Sequence, residues 1–171
     1  QYLLILLFYI FCKNNAKQFI QLLTLLIAVT YIYSGLHKFN GGFLYSVWEH
    51  KILRDFFHLP KKIISLPLIH YSGLFLSLIE TAIGILFLFC KNKKIVGIFA
   101  IMMHLFILIL LIVNNKNTVV WPWNLVFIFY IWILVFKQDA IHINLNFFKN
   151  KFNIAVLVLI GFLPIFSFYG L

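Results

Sequence analysis

An all-α fold of membrane-spanning helices follows from three observations. Hydrophobic residues fill 64% of the 171 positions and charged residues only 11%, where ordinary globular domains carry roughly 45–50% and about 25%. The apolar residues gather in six blocks, at 2–12, 19–35, 66–90, 95–113, 121–136 and 154–171. The ionisable side chains fall mostly in the connections between those blocks. A helix needs about 20 residues, with a range of roughly 17–25, to cross the hydrocarbon core. The expected architecture is a polytopic transmembrane bundle of about five full spans, a truncated first helix and one interfacial helix, forming a single domain over 1–171.

The first block is too short to span, and it is apolar from the second residue without an initiator Met. It reads as the end of a cut helix. Together with the abrupt apolar finish at Gly170 and Leu171, this predicts a piece of a longer chain. Residues 2–12 give no grounds to expect a signal peptide, since no basic residue precedes them and no small-residue cleavage site follows. Cys12 and Cys90 each close an apolar block beside a Lys, and are expected to be unpaired thiols at one membrane face.

The second block ends on Tyr33-Ser34-Gly35-Leu36-His37-Lys38-Phe39-Asn40, where an apolar helix meets adjacent His and Lys side chains. Such a pair can move protons, hold an anionic headgroup or anchor the helix. The following connection has structure of its own. Trp48, Ile52, Leu53, Phe56 and Phe57 fall on one side of a helical wheel, and His50, Lys51, Arg54 and Asp55 on the other, with Glu49 breaking the pattern. This predicts a helix over about 43–58 lying in the outer interface and stopped by Pro60.

The third and fourth blocks are joined by the tight basic turn Lys91-Asn92-Lys93-Lys94, which predicts antiparallel neighbours. Glu80 precedes the turn and His104 follows it by similar distances, so at about 1.5 Å per residue both lie roughly 15 Å into the bilayer. Ionisable residues at that depth face the bundle interior and find a partner or a watery cavity. Each is the other's expected partner, either as a lock between the helices or as the wall of a polar pocket near Lys38. The fifth block opens with Trp121-Pro122-Trp123-Asn124. Pro122 suits a first helical turn and the two Trp suit the interface, while Asn124 either caps the helix or points at the same pocket.

Loop charge fixes a provisional orientation. Lys13, Lys17, Lys91, Lys93, Lys94, Lys137, Lys149 and Lys151 share one side, and Lys38, Lys51, Arg54, Lys61, Lys62 and Lys116 the other. The positive-inside rule makes the first side cytoplasmic and leaves Lys38 non-cytoplasmic. The formal charge of +10 is distributed along both interfaces, and without a contiguous basic patch no nucleic-acid surface is expected. No two of the six His have i, i+3 or i+4 spacing, so no metal site is signalled. The chain also lacks a phosphate-binding loop, a dinucleotide fingerprint and a nucleophile elbow. Richness in Phe, Ile, Lys and Asn suggests an AT-rich genome, and a bacterial inner membrane is expected over an organelle membrane.

The order of the Gly35–Asn40 run, the segment with Trp48, the helix bearing Glu80, the basic turn, the helix bearing His104 and the Trp121–Asn124 entry resembles the HTTM family over about 30–136. That family contains the membrane domain of vitamin K-dependent gamma-carboxylase. Its Gly-hydrophobic-Lys-Lys-Leu-Asp run matches Gly35-Leu36-His37-Lys38-Phe39-Asn40, with His37 in place of the first Lys and Asn40 in place of the acidic residue. The resemblance implies that Lys38 corresponds to the base acting on the vitamin hydroquinone, and that His104 corresponds to a family His. DoxX-like membrane proteins are a second, weaker resemblance. Carboxylation of a protein is not implied, because the extramembrane part of the family is absent from this sequence.

Two functions are therefore expected as alternatives. One is an outward-facing pocket for a quinol, quinone or lipid, with Lys38 as base or anion anchor and His37 as its proton-exchange partner. Glu80, His104, Asn124, Trp121 and Trp123 would line that pocket, with membrane lipids as partners. The other is a non-catalytic accessory subunit of a larger membrane complex, in which Lys38 only snorkels to headgroups.

Overall fold

A computed structural model describes residues 5, 8, 9, 12, 15–90, 92–114, 118–137 and 149–168. Positions 138–148 of the predicted loop 137–151, Lys13, Lys91, Lys116 and most of the first block lie outside the described residues. Every regular element among them is helical: α1 (Ala16–His37), an interfacial helix (Phe43–Phe56), α2 (Lys61–Ile64), α3 (Pro67–Phe89), α4 (Lys93–Val113), a 3₁₀ turn (Thr118–Val120), α5 (Trp121–Trp132) and α6 (Lys151–Phe168). After Trp132 the fifth span continues in π-helical form over Ile133–Lys137. Four helices, Ala16–His37, Pro67–Phe89, Lys93–Val113 and Thr118–Phe136, are long and apolar enough to cross a membrane, and Lys151–Phe162 is a shorter apolar helix.

The helix ends follow from local chemistry. Asn15 caps α1 by accepting the Gln18 N–H at 3.1 Å, and Asn92 caps α4 by accepting from Lys94 at 3.2 Å. Pro67 and Pro122 stand in the first turns of α3 and α5, where a missing N–H costs nothing. The interfacial helix carries i→i+5 bonding and stops before Pro60, the chain turning at His58 with a φ of 53°. Its buried residues are Leu44, Ile52 and Leu53. Phe57 departs from the expected apolar face: it lies past the helix end and is exposed. Glu49, the residue that spoiled the amphipathic pattern, is explained by His70 on α3, whose Nδ1 lies 2.5 Å from the carboxylate.

α1 is the central helix, with an unbroken buried run from Gln21 to Val29. A helix surrounded by others needs no polar face. Its principal partner is α3, which runs antiparallel to it. A Cβ on Gly84 would stand 2.6 Å from the Ala28 carbonyl oxygen, and one on Gly35 would stand 2.7 Å from the Ser77 carbonyl oxygen. Small residues at such a seam let backbones approach closely where apolar lipid offers no competing drive. α4 and α5 form a second antiparallel pair, in which Gly97 meets Val135 and His104 meets Asn124. α6 joins α1 through Gln18 to Asn153 at 2.7 Å and Tyr33 to the Gly161 carbonyl at 2.5 Å.

The two seams modify the hairpin expected from the basic turn. α3 and α4 do touch, but each packs chiefly on another helix. The physical reason is the placement of small residues: Ser77, Thr81 and Gly84 line the side of α3 toward α1, and Gly97 and Ala100 the side of α4 toward α5. Away from their connecting turn, α3 and α4 leave a cleft between them. Cys12 is buried and Cys90 partly exposed, and both are free thiols.

Candidate functional site

Lys38 is the residue after the last turn of α1. Side chains on a helix lean toward its N-terminus, so Lys38 reaches back along α1, its Nζ donating to Ser34 Oγ at 3.1 Å. Glu80 shares the stripe of Ser77, Thr81 and Gly84 that faces α1. It therefore meets Lys38, and the two side chains form an ion pair with Glu80 8% and Lys38 27% exposed. Two of the three donors of a lysine ammonium are thus engaged, and one remains.

The expected pairing of Glu80 with His104 is replaced by Glu80 with Lys38 and His104 with Asn124. Glu80 and His104 line one cleft with Lys38 but do not pair with each other, because they belong to different seams. His104 Nδ1 lies 2.8 Å from Asn124 Oδ1, and Asn124 Nδ2 donates to the Val120 carbonyl at 3.0 Å. Of the two expectations for Asn124 the structure places it on the cleft and not as a cap: the N-cap position of α5 is Val120, without a side-chain cap, and the Asn124 amide donates back to the Val120 carbonyl. The carbonyl contact fixes the amide orientation, which leaves Oδ1 as the acceptor and His104 Nδ1 as the donor. In a neutral imidazole the other nitrogen then carries a lone pair. That nitrogen, Nε2, is buried with no hydrogen-bond partner among the described residues, as is the Tyr31 hydroxyl.

These groups share a cleft of about 450 Å³ between α1, α3, α4 and α5, walled by Tyr31, Ser34, Lys38, Glu80, His104, Trp123, Asn124 and Phe127. Tyr31 stands edge-on to His104 with ring centroids 5.6 Å apart, and Phe127 lies 5.1 Å from His104. A second, mainly apolar cleft of about 340 Å³ lies between α3 and α4 beneath the interfacial helix, and it shares Lys38, Glu80 and Ile107 with the first. The ion pair stands where the two meet.

Of the expected site residues, Lys38, Glu80, His104, Trp123 and Asn124 come together. His37 and Trp121 lie outside the walls of both clefts. Tyr31, Thr30, Ser34 and Phe127 were missed. A signal for two of these was present: Thr30 and Ser34 precede Lys38 at intervals of four residues, a polar stripe down one face of the helix. Among the described residues no cluster of three His, Cys, Asp or Glu side chains could hold a metal ion. Comparison of the chain with family models, curated proteins and solved structures gives no match.

Proposed function

We propose that this multi-pass membrane protein binds the ring of a membrane-soluble quinol or quinone in the cleft between α1, α3, α4 and α5. The carrying observation is the unpartnered Nε2 of His104, held as an acceptor by Asn124, next to an ion pair with one donor to spare. Lys38 and Glu80 offset each other's charge, so the cleft suits a neutral headgroup better than a phosphate diester. Tyr31, Trp123 and Phe127 supply flat apolar walls for a ring. The volume falls within the roughly 300–1,000 Å³ of small-molecule sites.

In this reading His104 Nε2 accepts a hydrogen bond from a ring hydroxyl, and Lys38 donates to the opposite side of the developing oxyanion. If the proton transfers, the O–H bond breaks, Nε2–H forms, and the quinol anion rests beside the Lys38 ammonium. His104 then holds the base position expected for Lys38, because an ammonium in an ion pair has no lone pair to offer. His37 has no part in the binding.

Trp123 offers a readout, because a quinone ring against it quenches indole fluorescence. Titration of the purified protein with a benzoquinone should quench saturably, Trp123→Phe should remove most of the quench, and His104→Ala should weaken binding about tenfold, the loss of one buried hydrogen bond of about 1.4 kcal/mol. Equal affinity in His104→Ala, with His37→Ala as the control, contradicts the assignment.

A further inference from the structure

Beyond the central cleft, a third cavity of about 520 Å³ lies between the interfacial helix, α2 and the start of α3. Its chemistry is a surplus of hydrogen-bond donors. Arg54 and Lys61 bring two cations to the wall, and Tyr45 and Tyr71 bring two hydroxyls. Glu49, the one carboxylate on that wall, is engaged by His70 at 2.5 Å. The Lys61 ammonium and the two tyrosine hydroxyls have no hydrogen-bond partner among the described residues.

The Arg54 contact with His50 strengthens the case. Both terminal nitrogens of the guanidinium lie against the imidazole, with Nη1 2.9 Å from Nε2 and Nη2 against Nδ1. The hydrogen-bonding directions of the two ring nitrogens diverge, so the guanidinium cannot satisfy its terminal donors on His50 alone. Asp55 occupies only Arg54 Nε, at 3.2 Å. An anion received by the guanidinium would use the terminal donors in the fork geometry for which Arg suits phosphate.

We infer that the cavity lined by Arg54, Lys61, His50 and Tyr71 is a binding site for a phosphate group. Two sources carry that chemistry, an anionic phospholipid headgroup and free inorganic phosphate. The position at the entry of α3, flanked by tyrosines at headgroup level, favours the lipid. The inference stands independently of the quinol reading, since it shares no residue with the central cleft.

The test compares thermal unfolding of the protein in neutral detergent with added phosphatidic acid, phosphatidylcholine or inorganic phosphate. Phosphatidic acid should raise the midpoint more than phosphatidylcholine, and Arg54→Gln/Lys61→Gln should reduce its apparent affinity at least about tenfold. Lys62→Gln, which removes one charge beside the cavity but outside its wall, should leave the response intact. Equal protection by inorganic phosphate, lost in the same double variant, supports the site with the free ion as ligand. No response to either phosphate source, or an equal loss in Lys62→Gln, overturns the inference. Should the double variant fold poorly, Arg54→Lys serves instead: it keeps the charge, removes the fork, and should weaken the response.

Discussion

Glu80 sits in the middle of an apolar helix, and its position is tolerable only because Lys38 leans back into the same space. Removing one partner of such a pair leaves the other uncompensated, which for fully buried pairs costs roughly 3–5 kcal/mol. Lys38 is 27% exposed and can withdraw toward the interface, so Glu80→Leu should cost less, about 1–3 kcal/mol. Lys38→Met/Glu80→Leu should lose less than the sum of the single changes, as measured by unfolding in detergent. Additive losses would mean that the two side chains do not interact. Asn124→Leu makes a different prediction. It removes the acceptor that orients His104, so quinone affinity should fall several-fold although Asn124 is not required to touch the ring. The sequence made Lys38, Glu80, His104 and Asn124 legible because polar groups are conspicuous in apolar spans. Their partners were not legible, since pairing depends on which face of each helix meets which neighbour.

Helix faces are set at the seams. The α1–α3 contact depends on glycine at two places where backbone or a short side chain leaves no room for a Cβ. Gly84→Val should destabilise by about 1–3 kcal/mol through overpacking and, by pushing the helices apart, should weaken quinone binding as well. Gly41→Ala is the control. A Cβ there has its nearest neighbours at 3.9 Å, and its effect should stay within about 0.5 kcal/mol. The extents of α1, α3 and α4 were readable from apolar block length, while Asn15, Pro67 and Asn92 at their starts were signals left unread. The interfacial helix was readable from its wheel, apart from Phe57. Neighbour choice was misjudged because a short turn guarantees that two helices are adjacent at one end only. α3 and α4 diverge from theirs, and the divergence opens the apolar cleft.

Across the whole molecule, the C-terminal end of α1, the interfacial helix and the start of α3 lie at one end of the bundle, and Cys90 at the other. From the charge bias between these ends we propose that the Lys38 end is the non-cytoplasmic one. An impermeant thiol reagent on intact cells should therefore label Lys61→Cys and leave Cys90 unreacted until the membrane is opened. The reverse pattern would turn the clefts toward the cytoplasm. The outward surfaces of α3 and α4 expose Leu68, Phe75, Phe89 and Phe99, which meet acyl chains in a stand-alone protein or partner helices in an accessory subunit. Ligand content separates these two cases most directly. The protein should be purified from its native membrane, and its bound small molecules extracted and identified by mass spectrometry, alongside His104→Ala prepared identically. A near-stoichiometric quinone or quinol in the wild type, depleted in His104→Ala, is the expected result. A wild-type protein free of quinones and held to fixed membrane-protein partners would contradict the proposed function and identify a structural subunit.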